Sequence, residues 1–461
     1  MSTLVRTNIS WREKPLPALL RLSWPITVSL LSFGVMTLVD TLFVGRIGTS
    51  ALAGVGLAGV ATFALLCFSM GLLRGVKVLV SQAVGAGQRG ELGSHLGAGL
   101  VMAVGLGLVT AFVGQLVAEA LPLIAASPAA GEAARSYFRV RIVSAPVILA
   151  FVALREYRYG DGDSRSPMIA TLAGNGVNIV LNWLLVIELS YGVEGSALAT
   201  VVGHGVEFAV IALAQSQVGW NVRRVQARHL LALWSVGVPT GVQFLMEMGS
   251  FAMLTAIVSS MGELQMAAHQ ITIQVIHFSF LPTVALGEAG SVLAGQAVGA
   301  NEDALVKRVA RHALAASTLY TGACTVLMLL FGGPITMLFT EDVALAAIAL
   351  SLMRVAACFQ IADGAAVVAR GVLRGAGDIR VPARFGIVCA WICTPPLAWF
   401  LGLRLGMGAL GGWLGLFLEI TALALLCWYR LERGTWQSLA SEARERLREQ
   451  AELEEGLAPA E

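Results

Sequence analysis

The stretch "WPITVSLLSFGVMTLVDTLFVG", Trp24 to Gly45, is apolar enough and long enough to cross a bilayer, yet it holds a carboxylate, Asp40. A hydrocarbon core needs about 20 apolar residues of helix. Windows of that kind recur through the chain, at roughly residues 16–43, 50–76, 93–120, 134–158, 167–188, 192–214, 230–257, 264–294, 306–333, 345–371, 382–403 and 406–429. These windows predict twelve membrane spans. Composition agrees: 57% of the 461 residues are hydrophobic, 13% are charged and the mean hydropathy is +0.76, against about 25% charged in a soluble domain.

No cleavable signal peptide is expected. "SWREKPLPALLRL" runs into an apolar segment too long for a signal core, and no small-residue cleavage site follows. Lys and Arg gather on one set of connections, among them Arg12, Lys14, Arg74, Lys77, Arg89, Arg155, Arg158, Arg165, Arg223, Arg224, Arg228, Lys307, Arg308, Arg311, Arg370, Arg374, Arg380 and Arg430. The opposite connections carry little beyond Arg46, Arg135 and Arg404, with Arg139 and Arg141 nearby in span four. The positive-inside rule then puts both termini in the cytoplasm, and the plasma (inner) membrane is the expected location. The formal charge of +2 is spread over these loops and forms no patch for nucleic acid.

Two segments repeat. "WPITVSLLSFGVMTLVDTLFVGRIGTSALAG" from Trp24 aligns with "VPTGVQFLMEMGSFAMLTAIVSSMGELQMAA" from Val238 at an offset of 214, and "SQAVGAG" from Ser81 aligns with "GQAVGAN" from Gly295 at the same offset. "REYRYGDGDSRSP" from Arg155 aligns with "RGVLRGAGDIRVP" from Arg370 at 215. The chain therefore reads as a cytoplasmic N-terminus over 1–15, an amino half over 16–214, a polar linker over 215–229, a carboxyl half over 230–430 and a tail over 431–461, solvated helix or disordered. Both halves start on the same side, so they are parallel repeats, an arrangement that places a substrate cavity at their interface. Prolines inside spans, at 25, 146, 239, 282, 395 and 396, mark bends. The six cysteines, none in a C-x-x-C pair, read as small hydrophobes.

Some motifs mislead. "GVGLAG", Gly54 to Gly59, has the letters of a dinucleotide fingerprint but follows no strand and lies inside a span. No H-E-x-x-H, G-x-S-x-G or Walker loop is present, so the sequence supports neither a hydrolase nor an ATP-driven pump. No cofactor is expected.

An ionisable group at a span centre costs about 2.5 to 3.5 kcal/mol on insertion scales and marks function by default. Asp40, Glu247 and Asp363 stand out in this way. Near Asp40, span five offers Asn175, Asn178 and Asn182, spaced i, i+3 and i+7 on one face, and span six offers Thr200. Carboxylate, amide and hydroxyl oxygens suit Na⁺, or hydrogen-bond a carboxyl that gains and loses a proton. If Glu247 and Asp363 approach to about 5 Å, their repulsion is about 3 kcal/mol at an effective dielectric near 20. One then takes a proton or a cation sits between them, unless a carboxylate is paired to a base such as Arg354. Arg74 and Glu288 occupy matching repeat positions and are candidates for a charged gate. His269 reads as a helix-end hydrogen-bonding residue.

Taken together, "VDTLFVGRIGTSALAGVGLA", "GDGDSRSPMIATLAGNGVNIVLNW", "AAHQI", "GQAVGAN" and "RGVLRGAGDIRVP" resemble the multidrug and toxic compound extrusion (MATE) family, its NorM-type branch in particular, over about residues 16 to 430. The resemblance implies an all-α membrane protein of twelve transmembrane helices in a V-shaped pair of pseudo-symmetric six-helix bundles. It implies export of cationic, amphipathic organic compounds in exchange for Na⁺ or H⁺, by a monomer surrounded by lipid. By the same resemblance the amino-half ion site falls on Asp40, Asn178, Asn182 and Thr200, and the carboxyl-half acids on Glu247 and Asp363. Some relatives have aspartate where Asn182 stands, which removes a second carboxylate from the amino-half site. Glu156, Tyr157 and Arg158, expected in the loop after span four, are more charged than the usual version. A lipid-linked oligosaccharide flippase of the same superfamily and a membrane-embedded enzyme are the rival readings; the first calls for a more cationic cavity, the second for a nucleophile or metal set.

Overall fold

The computed structural model describes residues 9–220, 222 and 225–455. Among them, eleven helices are long and apolar enough to span a membrane, and a bent helix pair makes the twelfth. The spans are α1 (Pro15–Gly45), α2 (Thr49–Gly85), α3 (Leu92–Ile124), the pair α4 (Pro128–Ile142) and α5 (Ala145–Gly160), α6 (Arg165–Asn182), α7 (Gly192–Val218), α8 (Ala227–Ser259), α9 (Glu263–Gly299), α10 (Asp303–Met337), α11 (Val343–Gly375), α12 (Arg380–Leu397) and α13 (Ala409–Arg433). The helix α14 (Gln437–Glu455) follows.

Span four departs from the single straight helix its apolar window suggests. It starts at Pro128, capped by the Ser127 hydroxyl accepting from the Ala130 N–H at 3.2 Å, and bends by 51° between α4 and α5. Pro146, near the start of α5, has no N–H to give to a continuous ladder. Gly107 of α3 lies so close to Pro146 that a Cβ there would overlap it.

The repeat is written into the backbone. Gly162 and Gly377 both adopt φ +93°, a left-handed turn that favours glycine. The helices that follow both close in a π-helical turn, over Trp183–Glu188 and Ala398–Arg404.

Packing divides the chain into two compact units. One comprises 25–80 and 89–242; the other comprises 1–24, 81–88 and 243–461. In the first, α6 packs on α7, and α3 on α4 and α5, with Tyr137, Phe138 and Ile142 of α4 in an apolar cluster. In the second, α11 is central, packed by α9, α10 and α13, and a Cβ on Gly371 would overlap the Gly287 backbone, so α9 and α11 touch backbone to backbone.

Three regions at the span ends differ from the sequence reading in detail. Glu156, Tyr157 and Arg158 lie in α5, buried, and form no loop. Burial is tolerated because Lys77 Nζ lies 3.2 Å from Glu156 and Arg155 donates to it at 3.0 Å. In the tail, the described part is the helix α14, whose inner face is packed rather than solvated: Trp436, Ala440, Ala443 and Leu447 are buried, Arg444 pairs with Asp303 at 2.7 Å, and Gln88 donates to the Leu447 carbonyl at 3.0 Å. The linker is shorter than its polar composition suggests, since α7 runs to Val218 and α8 starts at Ala227; Arg223 and Arg224 lie outside the described residues.

Candidate functional site

Asp40 sits on α1 with one side toward α6 and α7 and is 4% exposed. Its Oδ1 accepts from Asn182 Nδ2 at 2.8 Å and from Asn178 Nδ2 at 3.2 Å, and its Oδ2 accepts from the Thr200 hydroxyl at 3.0 Å. The set expected from sequence thus converges on one carboxylate. Asn175, on the same face of α6, goes elsewhere: its amide donates to the Ser32 carbonyl of α1 at 2.6 Å and to the Ser32 hydroxyl. The Oδ1 atoms of Asn178 and Asn182 are buried and accept no hydrogen bond.

Two residues that sequence reasoning passed over complete this site. Arg141 Nη1 lies 3.9 Å from Asp40 Oδ2 and donates to the buried Tyr137 hydroxyl at 2.6 Å. Both lie on α4, four residues apart and so on one face. The available signal was an arginine near the middle of "SYFRVRIVSAP", where the positive-inside count treated it as a flanking charge.

The carboxyl-half acids also have a cation. Arg370 of α11 donates to Glu247 Oε1 at 2.8 Å, and Gln243, one turn before Glu247 on α8, donates to the same atom at 2.9 Å. Gly386 of α12 leaves room for that carboxylate, since a Cβ there would overlap Glu247 Oε1. Asp363, seven residues before Arg370 and on the same face of α11, is within electrostatic reach of both Arg370 and Glu247. The bare pair of acids is therefore corrected. Arg370, counted from sequence among the membrane-flanking charges, is the base involved, not Arg354. A further half-buried acid beside Glu247 and Asp363 was missed: Glu419 of α13 accepts from the Thr394 hydroxyl and is within reach of Glu247, Arg370 and Asp363. It too lay inside a predicted span and was legible there. Of the three carboxylates, Glu247 contacts the guanidinium of Arg370, and Asp363 and Glu419 lie within its electrostatic reach.

The gate candidates each have a neighbour inside their own unit: Glu288 lies 3.7 Å from Arg374, and Arg74 is within electrostatic reach of Glu156. His269 is buried inside α9 and caps no helix end. It accepts from the Trp413 indole N–H at 3.1 Å and faces the Thr255 hydroxyl at 3.4 Å.

A membrane protein of two repeated halves, each with acids buried in its spans, has the build of a transporter. A sequence model of the MatE family matches residues 25–184 and again 239–400, the two matches starting at the aligned prolines Pro25 and Pro239. The chain belongs to the MatE family, and is NorM-like, integral and multi-pass. It is 31% identical over 458 residues to the "Probable multidrug resistance protein NorM" of Pseudomonas syringae pv. tomato, covering 93% of this chain and 97% of the relative. It is 28% identical over 444 residues to the "Multidrug resistance protein NorM" of Aliivibrio fischeri, covering 91% and 95%. Among solved structures, a MOP superfamily transporter from Pyrococcus furiosus superposes with a TM-score of 0.85 at 21% identity over 93% of this chain and 97% of that one. An outward-facing multidrug resistance MATE family transporter does so with a TM-score of 0.86 at 21% identity over 93% and 97%.

Proposed function

We propose that this chain is a secondary active multidrug exporter that moves cationic, amphipathic organic compounds outward in exchange for a proton, with Asp40 as the coupling acid. The support is the Asp40 shell: one carboxylate, three neutral donors and Arg141 at 3.9 Å. Ionised Asp40 and Arg141 sum to zero charge, which leaves little pull for Na⁺ at this position but leaves the carboxyl free to take a proton. The carboxyl-half acids outnumber their arginine, so Glu247, Asp363 and Glu419 supply the negative charge that attracts an organic cation. The same excess of acids disfavours an oligosaccharide-pyrophosphate cargo. Coupling needs only that proton and cargo stabilise different states of the protein. Both termini are taken as cytoplasmic, in the inner membrane, and the working unit as a monomer. The gate reading, Arg74 with Glu288, is carried as part of the same proposal.

A second reading has its own support. The unpartnered Oδ1 atoms of Asn178 and Asn182 are hard oxygen ligands of the kind a sodium ion takes beside Asp40. Efflux of a fluorescent organic cation from proteoliposomes, with pH and sodium gradients imposed separately, tests the two. The proton reading expects acceleration by the pH gradient alone, lost in Asp40→Asn. Acceleration by sodium alone selects the second reading, and by neither rejects both.

A further inference from the structure

The polar stripe that holds Asp40 continues down α7. Ser196, Thr200, His204, Glu207, Ile211 and Gln215 recur every three or four residues and all are buried, so they share one face of the helix. Thr200 donates to Asp40. One turn further, His204 Nδ1 lies 2.9 Å from Glu207 Oε2, in a pair that is 4% and 2% exposed. From Thr200 to Glu207 the helix advances about 10 Å.

The two side chains bond each other within α7, so no hydrogen bond of this pair ties α7 to a neighbouring helix. The fold makes room for it: a Cβ on Gly174 of α6 would overlap Glu207 Cγ. The charged and titratable groups around it come from several elements. Arg155 of α5 is within electrostatic reach of Glu207, with Glu156 3.0 Å from Arg155 and Lys77 of α2 3.2 Å from Glu156. Also on α5, Arg158 donates to Gln215 at 3.3 Å and Tyr159 lies beside Arg155; Tyr137 of α4, bonded by Arg141, is within reach of Thr200, α6 has no titratable side chain after Arg165, and the membrane stretch of α1 contributes Asp40 alone.

We infer that His204 and Glu207 are a proton relay that carries the coupling proton between Asp40 and the Val218 end of α7. The inference rests on the reading of Asp40 as the proton-coupling acid. The Asp40 O–H bond breaks, its electron pair stays on the carboxylate, and the proton bonds to the lone pair of His204 Nε2. The Nδ1–H bond of the imidazolium then breaks and an O–H bond forms at Glu207 Oε2, leaving the ring neutral. Glu207 gives its proton to water, and the starting tautomer returns when the Nε2–H bond breaks, giving that proton to water, and Nδ1 takes a proton from water in its place. The gap between Thr200 and His204, one turn or about 6 Å along the axis, is spanned by the Thr200 hydroxyl and a water.

Two readouts in proteoliposomes of the full chain test this. One is efflux driven by a pH gradient; the other is exchange of labelled for unlabelled organic cation at equal pH and equal concentration, which moves no net proton. His204→Gln and Glu207→Gln should each lose about tenfold or more of the driven efflux while exchange persists, and Glu207→Asp, which keeps an acid, should retain both. Driven efflux that survives in the glutamine variants overturns the relay. So does a parallel loss of exchange, the mark of a structural role. Should a glutamine variant not be recovered folded, Glu207→Asp decides by its pH profile: a displaced profile supports the relay and an unchanged one overturns it. A wild-type protein with no response to the pH gradient brings down the coupling reading itself, whereas failure of the relay alone shows only in the variants.

Discussion

Arg141 and Asp40 lie 3.9 Å apart inside the amino half, close enough for a guanidinium to act as a resident counter-ion. At that separation an effective dielectric near 20 gives about 4 kcal/mol of attraction, which an incoming sodium ion has to replace. Arg141→Gln leaves the Asp40 charge with neutral donors only, together with the unpartnered amide oxygens of Asn178 and Asn182. The variant should gain a sodium response. Thermal unfolding in detergent is expected to move up with added NaCl in Arg141→Gln but not with choline chloride, and to show no such difference in the wild type. A sodium-specific shift in the wild type argues against the resident counter-ion.

Arg370 holds a different position in the energetics, because it contacts Glu247 and lies within electrostatic reach of Asp363 and Glu419 as well. Removing one partner of a fully buried pair costs about 3 to 5 kcal/mol, most of it from the charge left behind, and the Arg370–Glu247 pair, 17% and 26% exposed, falls below that because water screens it. Arg370→Ala leaves three acids and Glu247→Gln leaves two acids with their arginine. The unfolding midpoint should therefore fall further for Arg370→Ala than for Glu247→Gln, and Arg370→Lys should recover part of the loss. Equal midpoints for the two variants would show that Arg370 serves Glu247 alone.

The apolar windows carried the twelve spans because hydrocarbon leaves a helix few alternatives, and the paired prolines Pro25 and Pro239 carried the repeat. The Asp40 shell was legible for the same reason: Asn178 and Asn182 fall on one face of α6, and period alone aims them together. What escaped was the partner of each acid. Arg141 and Arg370 sit in their helices where a charge count assigns them to the flanks, and only the tertiary packing reveals that they turn inward. His204 and Glu207 were missed although they lie inside a span, because one-turn spacing shows which side chains can meet and says nothing of which carboxylates matter. The bend in span four depends on Gly107 of α3 meeting Pro146, a contact between residues 39 positions apart that a local pattern does not hold.

The gate proposal is tested by exchange of charge. Glu288 has Arg374 at 3.7 Å in its own unit, so Glu288→Arg alone sets two cations together and should damage transport, as should Arg74→Glu, which places an acid within reach of Glu156. If Arg74 and Glu288 pair during the cycle, the double variant Arg74→Glu/Glu288→Arg should export a fluorescent organic cation faster than either single variant. Export no faster than the worse single variant ends the gate reading.

Asp163 and Asp378 occupy matching repeat positions between spans and respond to acid in opposite senses. Burial pushes the Asp163 carboxyl up, but the Ser166 hydroxyl, the Ser166 N–H and Arg158 outweigh it and hold the group below the usual carboxylate range. Burial dominates at Asp378 and pushes it up, with Arg430 opposing. A depressed carboxyl adds stability that is complete above its unfolded value, about 4, and is lost as pH falls through the folded one. A raised carboxyl costs stability when ionised, and the cost is relieved as pH falls through its folded value. Asp163→Asn should therefore lower the unfolding midpoint at pH near 7, by the equivalent of about 1.5 to 3 kcal/mol for charge-assisted hydrogen bonds, and the gap to wild type should narrow below about pH 4. Asp378→Asn should cost less near neutrality. Thermal unfolding of the three proteins in one detergent across that pH range measures both trends, and a gap for Asp163→Asn that stays constant into acid would mean that Asp163 acts through hydrogen bonds indifferent to its charge.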